Sequence, residues 1–404
     1  MDKRSLSQLA KSLKYRVAGH LVPLLPAWLR TRLVPPENAW SRGDLKVVAV
    51  PEPAPVRLLV ARANYAGQGY HWARAAETLP GVAATNLSFV PDNDHMGAPT
   101  DFSVRKTAGE SSRVWARRQR KAIKERFTHV LLEAELPILG SLYGGDLVAE
   151  VRDLQAAGVK VALVSHGSDT RLPSLHAKLE KDSPFHGALD GLTETLEPTV
   201  SRNLRAMDEL GLPEFVPTAE LLHFRPAARW LPLIGSPDPW VSIPPARLER
   251  KRPRVLHVPG GQPALKGSES IVPAMKKLDA EGLIEYVEVS GVSQAEMAQH
   301  MRNADILVNQ VGMGLYATVA VEAMLSGRIV VAQVWDSVRE HIKAQTGMEV
   351  PVLEATRQTV YDVVRHIAEH PDEYRDLGAE SREFALQAHS YEYAGKVLEE
   401  FLRS

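Results

Sequence analysis

Four stretches of this 404-residue chain set polar or glycine-rich groups directly after short apolar runs. Open α/β sheets present their ligand-binding residues at that position. The most telling is Ala304-Asp-Ile-Leu-Val-Asn-Gln310, followed by Val311-Gly-Met-Gly-Leu-Tyr-Ala317 and Val321-Glu322-Ala-Met-Leu-Ser-Gly327. Gly312 and Gly314 let backbone approach a ligand closely. A helix starting near Tyr316 offers unpaired N–H groups and the positive end of its dipole to a phosphate. Glu322 falls about two turns into that helix, where a carboxylate can accept two hydrogen bonds from a ribose diol. Its neighbours Val321, Ala323, Met324 and Leu325 are apolar, and a carboxylate in such company needs a partner.

The second stretch is His257-Val-Pro-Gly-Gly-Gln-Pro-Ala-Leu-Lys266-Gly267. Its Gly-Gly pair gives a tight loop, and Lys266 at the start of the next helix can neutralise a diphosphate leaving group. A lysine alone is more often a solubility residue. The third is Lys160-Val-Ala-Leu-Val-Ser165-His166-Gly-Ser-Asp169-Thr-Arg171. His166 can orient a hydroxyl or exchange a proton with it near neutral pH. Asp169 and Arg171 accompany it, on the side of an acceptor or a phosphate. A lone histidine at a strand end is more often structural, but this concentration of polar groups favours function. The fourth is Asn64-Tyr-Ala-Gly67-Gln-Gly69. The dinucleotide fingerprint would need a glycine at position 72, which is Trp72. Hydride transfer thereby loses its support, while the Gly67–Gly69 loop still suits close approach of a sugar or phosphate.

Positioning such groups requires strands that alternate with helices. Apolar runs at 56–61, 83–90, 128–132 and 159–165 predict strands, with helices up to Ala76 and over about 112–126 and 145–157. The alternation implies a parallel sheet covered on both faces. Further elements are expected over 187–217. Residues 226–253 carry seven prolines and read as an interdomain connection. A second series comes next, with strands at 254–258, 284–289, 306–309 and 329–333 and helices at about 268–280, 294–303 and 316–325. The end is helical over 356–402, with breaks near Pro371 and His389. The expected division is a basic amphipathic segment over 1–50, an acceptor-binding domain over 51–235 completed by 390–404, and a donor-binding domain over 236–389. Ligands of two such doubly wound domains bind at the carboxyl ends of their sheets.

Cysteine is absent, which excludes disulfides, cysteine metal sites and thiol catalysis and fits a reducing compartment. No run reaches the ~20 apolar residues of a membrane span, and no signal-peptide cleavage pattern occurs. The expected location is cytoplasmic. Residues 1–130 hold 21 Lys and Arg against 10 Asp and Glu, although the whole chain carries 48 against 49. This asymmetry predicts a face drawn to something anionic. Lys3, Arg4, Lys11, Lys14, Arg16, Arg30 and Arg32 interleave with apolar residues at helical spacing. A helix of that kind can lie on the inner face of a membrane as a peripheral anchor. No nucleic-acid-binding module is recognisable.

Together these pieces resemble the retaining group-1 glycosyltransferases, glycosyltransferase family 4, over roughly residues 56–390. The likeness is sharpest over 254–333, in His257-x-Pro, Lys266-Gly267, Gly291-Val-Ser293, Ala304-Asp305 and Glu322-Ala-Met-x-x-Gly327. Ser165-His-Gly-Ser-Asp169-x-Arg171 looks like the amino-domain counterpart in one branch. The resemblance implies an α/β GT-B fold of two Rossmann-like domains facing across a cleft, with the terminal helix crossing back to the amino domain. It implies transfer of a sugar from a nucleoside-diphosphate sugar to a glycan, lipid-linked or other acceptor, with retention and with no metal or cofactor. Glu322 would hold the donor ribose and Lys266 the diphosphate. The amides of Gly314, Leu315 and Tyr316 would reach phosphate or the transferred sugar, and backbone around Val292 would read the base. His166 would stand beside the transferred sugar, and the Gly67–Gly69 loop would approach the diphosphate. In two places the chain departs from this pattern. Gly314 stands where the family often has glutamate, eight residues before Glu322, and Gln262 and Pro263 stand where an arginine often accompanies the lysine. Arg254 or Arg171 would then have to supply the second cation. The rival readings are a catalytically silent GT-B protein that binds glycan or nucleotide, and a nucleotide-sugar epimerase.

Overall fold

A computed structural model describes residues 43–91, 97–187 and 191–404. The amphipathic pattern expected over residues 3–32 lies outside them. The chain divides into two compact units, one of Met1–Val164, Ala206–Pro213 and Phe401–Ser404, the other of Ser165–Arg205 and Glu214–Glu400.

The first unit is built on β1 (Val56–Arg62), β2 (Val82–Val90), β3 (Phe102–Arg105), β4 (His129–Glu133) and β5 (Lys160–Val164). These run in the order β3-β2-β1-β4-β5 and pair in parallel. Leu58, Leu59, Val60 and Ala61 are all fully buried, as expected of a parallel strand covered on both faces. Helices Gln68–Ala76, Arg113–Arg126 and Leu147–Gln155 supply the cover. The Ser112 and Asp146 side chains cap the latter two by accepting from Trp115 N and Ala149 N. In Arg113–Arg126 the buried set is Trp115, Ala116, Gln119, Ala122 and Ile123, at spacings of three and four. Arg113, Arg117, Arg118 and Lys121 are exposed on the same helix.

Strands β6 (Glu214–Val216) and β7 (Arg229–Trp230) belong to the second unit and pair with each other in parallel. β7 lies inside the proline-rich stretch that reads as a connection. It pairs Phe215 with Arg229 and Val216 with Trp230, and two residues are too few to leave a periodic signature. The second sheet holds β8 (Arg254–His257), β9 (Glu285–Glu288), β10 (Ile306–Val308), β11 (Ile329–Ala332) and β12 (Val352–Glu354) in the order β12-β11-β10-β8-β9. Leu256, Leu307 and Val330 enter one core, while Val255, Ile306, Val308 and Val331 enter another. This is the two-residue alternation of a sheet buried on both sides. From β8 the chain steps to β9 on one side, then returns to β10 on the other. A ligand crevice belongs at such a reversal, outside the carboxyl ends of the strands.

Candidate functional site

The register pairs His257 with Val308, so the segments leaving β8 and β10 start side by side. The buried His257 ring ties them together: its Nδ1 lies 2.8 Å from the Val308 carbonyl and its Nε2 2.9 Å from Ser268 Oγ. Burial lowers its pKa, so the ring is neutral, with Nδ1–H donating to the carbonyl and Nε2 accepting from the hydroxyl. Further on, Val311 N donates to Lys266 O at 3.1 Å. Gly267 has φ +71°, and a Cβ there would meet the Val311 carbonyl oxygen at 2.6 Å. The lysine segment is therefore seated on the segment after β10.

Residues 311–316 are buried, yet they form neither strand nor helix. The expected helix from 316 begins at Thr318 and ends at Leu325. Side chains hold the preceding backbone out of it: Gln333 accepts from Gly312 N, and Gln310 Nε2 donates to Leu315 O at 3.2 Å. Among the described residues, the amides of Met313, Gly314, Leu315 and Tyr316 donate to no protein group. Four amides in succession without a protein partner, ahead of a helix start, form the kind of concavity that can hold an anion.

Two charged groups near this concavity are also unpaired. Lys266 closes the short turn Pro263–Lys266 and makes no ion pair among the described residues; desolvation lowers its pKa to about 8. Glu322 is half-buried in the helix Thr318–Leu325 and likewise has no side-chain partner among them; desolvation raises its pKa to about 7. A half-buried ammonium and a half-buried carboxylate without a protein partner are candidates for a ligand that supplies one. Tyr316 contributes only its backbone, because its buried hydroxyl lies 2.9 Å from His389 Nε2. Val292 is half-buried in the loop between β9 and Gln294–Asn303, whose start the Ser293 and Glu296 capping box fixes.

The motif Ser165–Arg171 belongs to the same unit and closes on itself. The Asp169 carboxylate accepts from His166 N at 2.8 Å and Gly167 N at 2.6 Å, which orients the half-buried His166. Arg171 is buried and forms an ion pair with the fully buried Glu220. Arg254 opens β8, at the sheet end away from Lys266, and pairs with Glu285 at 2.5 Å. Each of these two arginines, the candidates for a second cation, thus already has a carboxylate partner.

In the first unit, Asn64, Ala66 and Gly67 have positive φ after β1. Gly67 and Gly69 are buried. A Cβ on Gly69 would meet Asn86 Nδ2 at 2.7 Å and both Glu133 carboxylate oxygens at 2.8 Å. Glu133 also accepts from Asn64 N at 3.0 Å. An internal carboxylate thus lies at the start of the helix Gln68–Ala76, and the glycine at 69 serves that packing.

Sequence reasoning missed Trp335, Gln333 and Glu180. Trp335 Nε1 donates to Glu180 Oε2 at 2.7 Å, and Gln333 Nε2 donates to the same oxygen at 3.1 Å. The indole stacks on His176 with centroids 5.4 Å apart. His176 Nε2 lies 3.4 Å from Met313 O, so residues 176–180 pack on the amide-bearing segment. No local pattern announces a contact between positions more than 130 apart. Among the described residues no cluster of His, Asp or Glu suits a metal ion, and no helix is long and apolar enough to cross a membrane.

No protein-family model matches the sequence, and no curated protein matches it. Solved structures do. A glycosyltransferase from Rickettsia africae superposes with TM-score 0.55 at 11% identity, over 87% of this chain and 98% of that one. Sucrose-phosphate synthase from Thermosynechococcus elongatus gives 0.54 at 14% identity, over 86% and 98%. HepE from Anabaena, solved with UDP and glucose, gives 0.53 at 11% identity, over 86% and 99%. At such identities the likeness establishes the fold: two Rossmann-like parallel α/β domains, the GT-B architecture of glycosyltransferases.

Proposed function

We propose that this protein is a glycosyltransferase that takes a sugar from a nucleoside-diphosphate sugar and passes it to an acceptor with retention of anomeric configuration. The observation that carries this reading is the run of four unpartnered amides at 313–316, beside an uncompensated ammonium at Lys266 and an uncompensated carboxylate at Glu322. A nucleoside diphosphate supplies what each lacks. Phosphate oxygens accept from the amides and pair with Lys266, and the ribose diol donates to Glu322. Backbone around Val292 reads the base.

As the glycosidic C–O bond breaks, negative charge grows on the β-phosphate. Donors fixed before the reaction stabilise it without reorganising. Lys266 and the amides carry the charge compensation that a metal carries in other transferases, so no metal or cofactor takes part. His166, oriented by Asp169 through its own amide, stands beside the transferred sugar. The acceptor hydroxyl attacks the anomeric carbon from the face the leaving group departs and gives its proton to the departing β-phosphate oxygen, and no carboxylate nucleophile or covalent intermediate is involved. The acceptor is a glycan, a lipid-linked chain or another hydroxyl-bearing molecule. The basic amino-terminal region, including the exposed cations of Arg113–Arg126, draws the protein to an anionic membrane face, consistent with work in the cytoplasm at the inner membrane.

The test is calorimetric binding of UDP, GDP and ADP, followed by donor turnover, with wild type, Glu322→Ala and Lys266→Ala. Each variant is expected to lose more than tenfold in turnover. Losses below tenfold, under about 1.4 kcal/mol, would remove both roles.

A further inference from the structure

Gly314 stands where a side chain would project beside the unpartnered amides, and the structure shows why none is present. A Cβ built on Gly314 would lie 2.2 Å from Trp335 Cε2, 2.3 Å from Cδ2 and 2.5 Å from Nε1. Its φ of +72° disfavours any other residue as well. The indole is held there from several sides. Trp335 N donates to Gly314 O at 3.1 Å, Nε1 donates to Glu180, and His176 and His223 pack on the ring with centroids 5.4 and 5.2 Å away. Glu180 is itself buried and receives Asp182 N at 2.8 Å and Gln333 Nε2 at 3.1 Å. Trp335 remains half-buried, so part of its surface stays open.

We propose that Trp335 is the residue that determines which sugar this site accepts, by filling the room that a side chain at position 314 would otherwise occupy. This rests on the reading of 313–316 as the phosphate-binding segment. The group bonded to the outer phosphate then lies within about one residue of that segment, against the indole. Because the one polar atom of the indole is consumed by Glu180, the wall offers carbon alone. It therefore selects by shape and C–H contact, not by exchanging hydrogen bonds with hydroxyls. Glu180 and Gln333 act as positioning residues, holding the indole and Gly312 through one shared carboxylate oxygen and one amide group.

The experiment compares the dissociation constants of UDP-glucose, UDP-N-acetylglucosamine, GDP-mannose and ADP-glucose with those of the bare nucleotides. It uses the full chain as wild type, Trp335→Phe and Trp335→Ala. The expected result is at least a tenfold change in the sugar-to-bare ratio for the preferred donor in Trp335→Ala, and a smaller change in Trp335→Phe. Affinity for the bare nucleotide should stay within threefold. If the ratio is unchanged, or the bare nucleotide loses as much as the donor, the proposal is overturned while the nucleotide reading stands. If the wild type binds no nucleotide, the transferase reading fails first and takes this one with it. A Trp335→Phe protein that no longer folds would assign the indole to the core and also overturn it.

Discussion

At the scale of single residues, two half-buried charges, Lys266 and Glu322, have no side-chain partner among the described residues. Burial raises Glu322 to about 7, so between pH 4.5 and 7 the folded protein holds a proton that the unfolded chain has released. Stability must then fall as pH rises through that window. Lys266 works in the opposite sense: with its pKa lowered to about 8, its cost is fully present below 8 and is relieved as pH rises toward 10.5. Glu322→Gln is expected to leave stability at pH 4 unchanged and to gain about 1–2 kcal/mol at pH 8, a figure discounted for partial exposure. Thermal melts across pH check this. Ribose hydrogen bonds favour the charged carboxylate, so nucleotide binding near pH 6.5 should release a proton from wild type and none from Glu322→Gln. Calorimetry in buffers of different ionisation enthalpy reads that release.

At the scale of elements, the two polar segments do different work. Residues 311–316 give up regular structure, and Gln310, Gln333 and the backbone of Lys266 hold them by hydrogen bonds while the amides of 313–316 keep no protein partner among the described residues. The Ser165–Arg171 segment instead bonds to its own backbone through Asp169 and buries Arg171. Arg171 compensates Glu220, which is fully buried. Arg171→Met should therefore act on stability. Leaving that carboxylate unpaired costs about 3–5 kcal/mol, and the melting temperature should drop by roughly 10 °C. An Arg171→Met protein that melts like wild type but loses nucleotide or acceptor affinity would instead give the guanidinium a direct role with ligand.

At the scale of the whole molecule, the charge is unevenly placed. The amino-terminal 130 residues are strongly basic, and Arg113, Arg117, Arg118 and Lys121 are exposed on one helix. Residues before it are pinned to that helix, with Trp115 Nε1 donating to Val47 O at 2.7 Å and Arg118 Nη1 to Leu45 O at 3.0 Å. Each basic residue close to an anionic surface contributes about 1 kcal/mol. The protein should sediment with phosphatidylglycerol vesicles at low salt and not with phosphatidylcholine alone. Reversing Arg117→Glu and Lys121→Glu together should weaken the association at least tenfold. Absence of sedimentation at low ionic strength would refute the membrane reading.

The strands of both sheets were legible because parallel strands buried on both faces are nearly continuous apolar runs, as at Leu58–Ala61 and Ile329–Ala332. β3, β7 and β12 were not, since two to four residues carry no clear period. Lys266 and Glu322 could be singled out as candidates because each sits within one strand–loop–helix unit, where local order dictates position; the amides of Gly314, Leu315 and Tyr316 were pointed to by the family resemblance. The family resemblance also marked Gly314 as a departure. Only tertiary structure could say why, because the atoms that forbid a Cβ there belong to Trp335, held in turn by a carboxylate from position 180. The same holds for Arg171 and Arg254, whose partners come from other segments. Chain order dictates which residues leave the end of a strand, whereas the side chain that fills the neighbouring space is set by how distant segments pack.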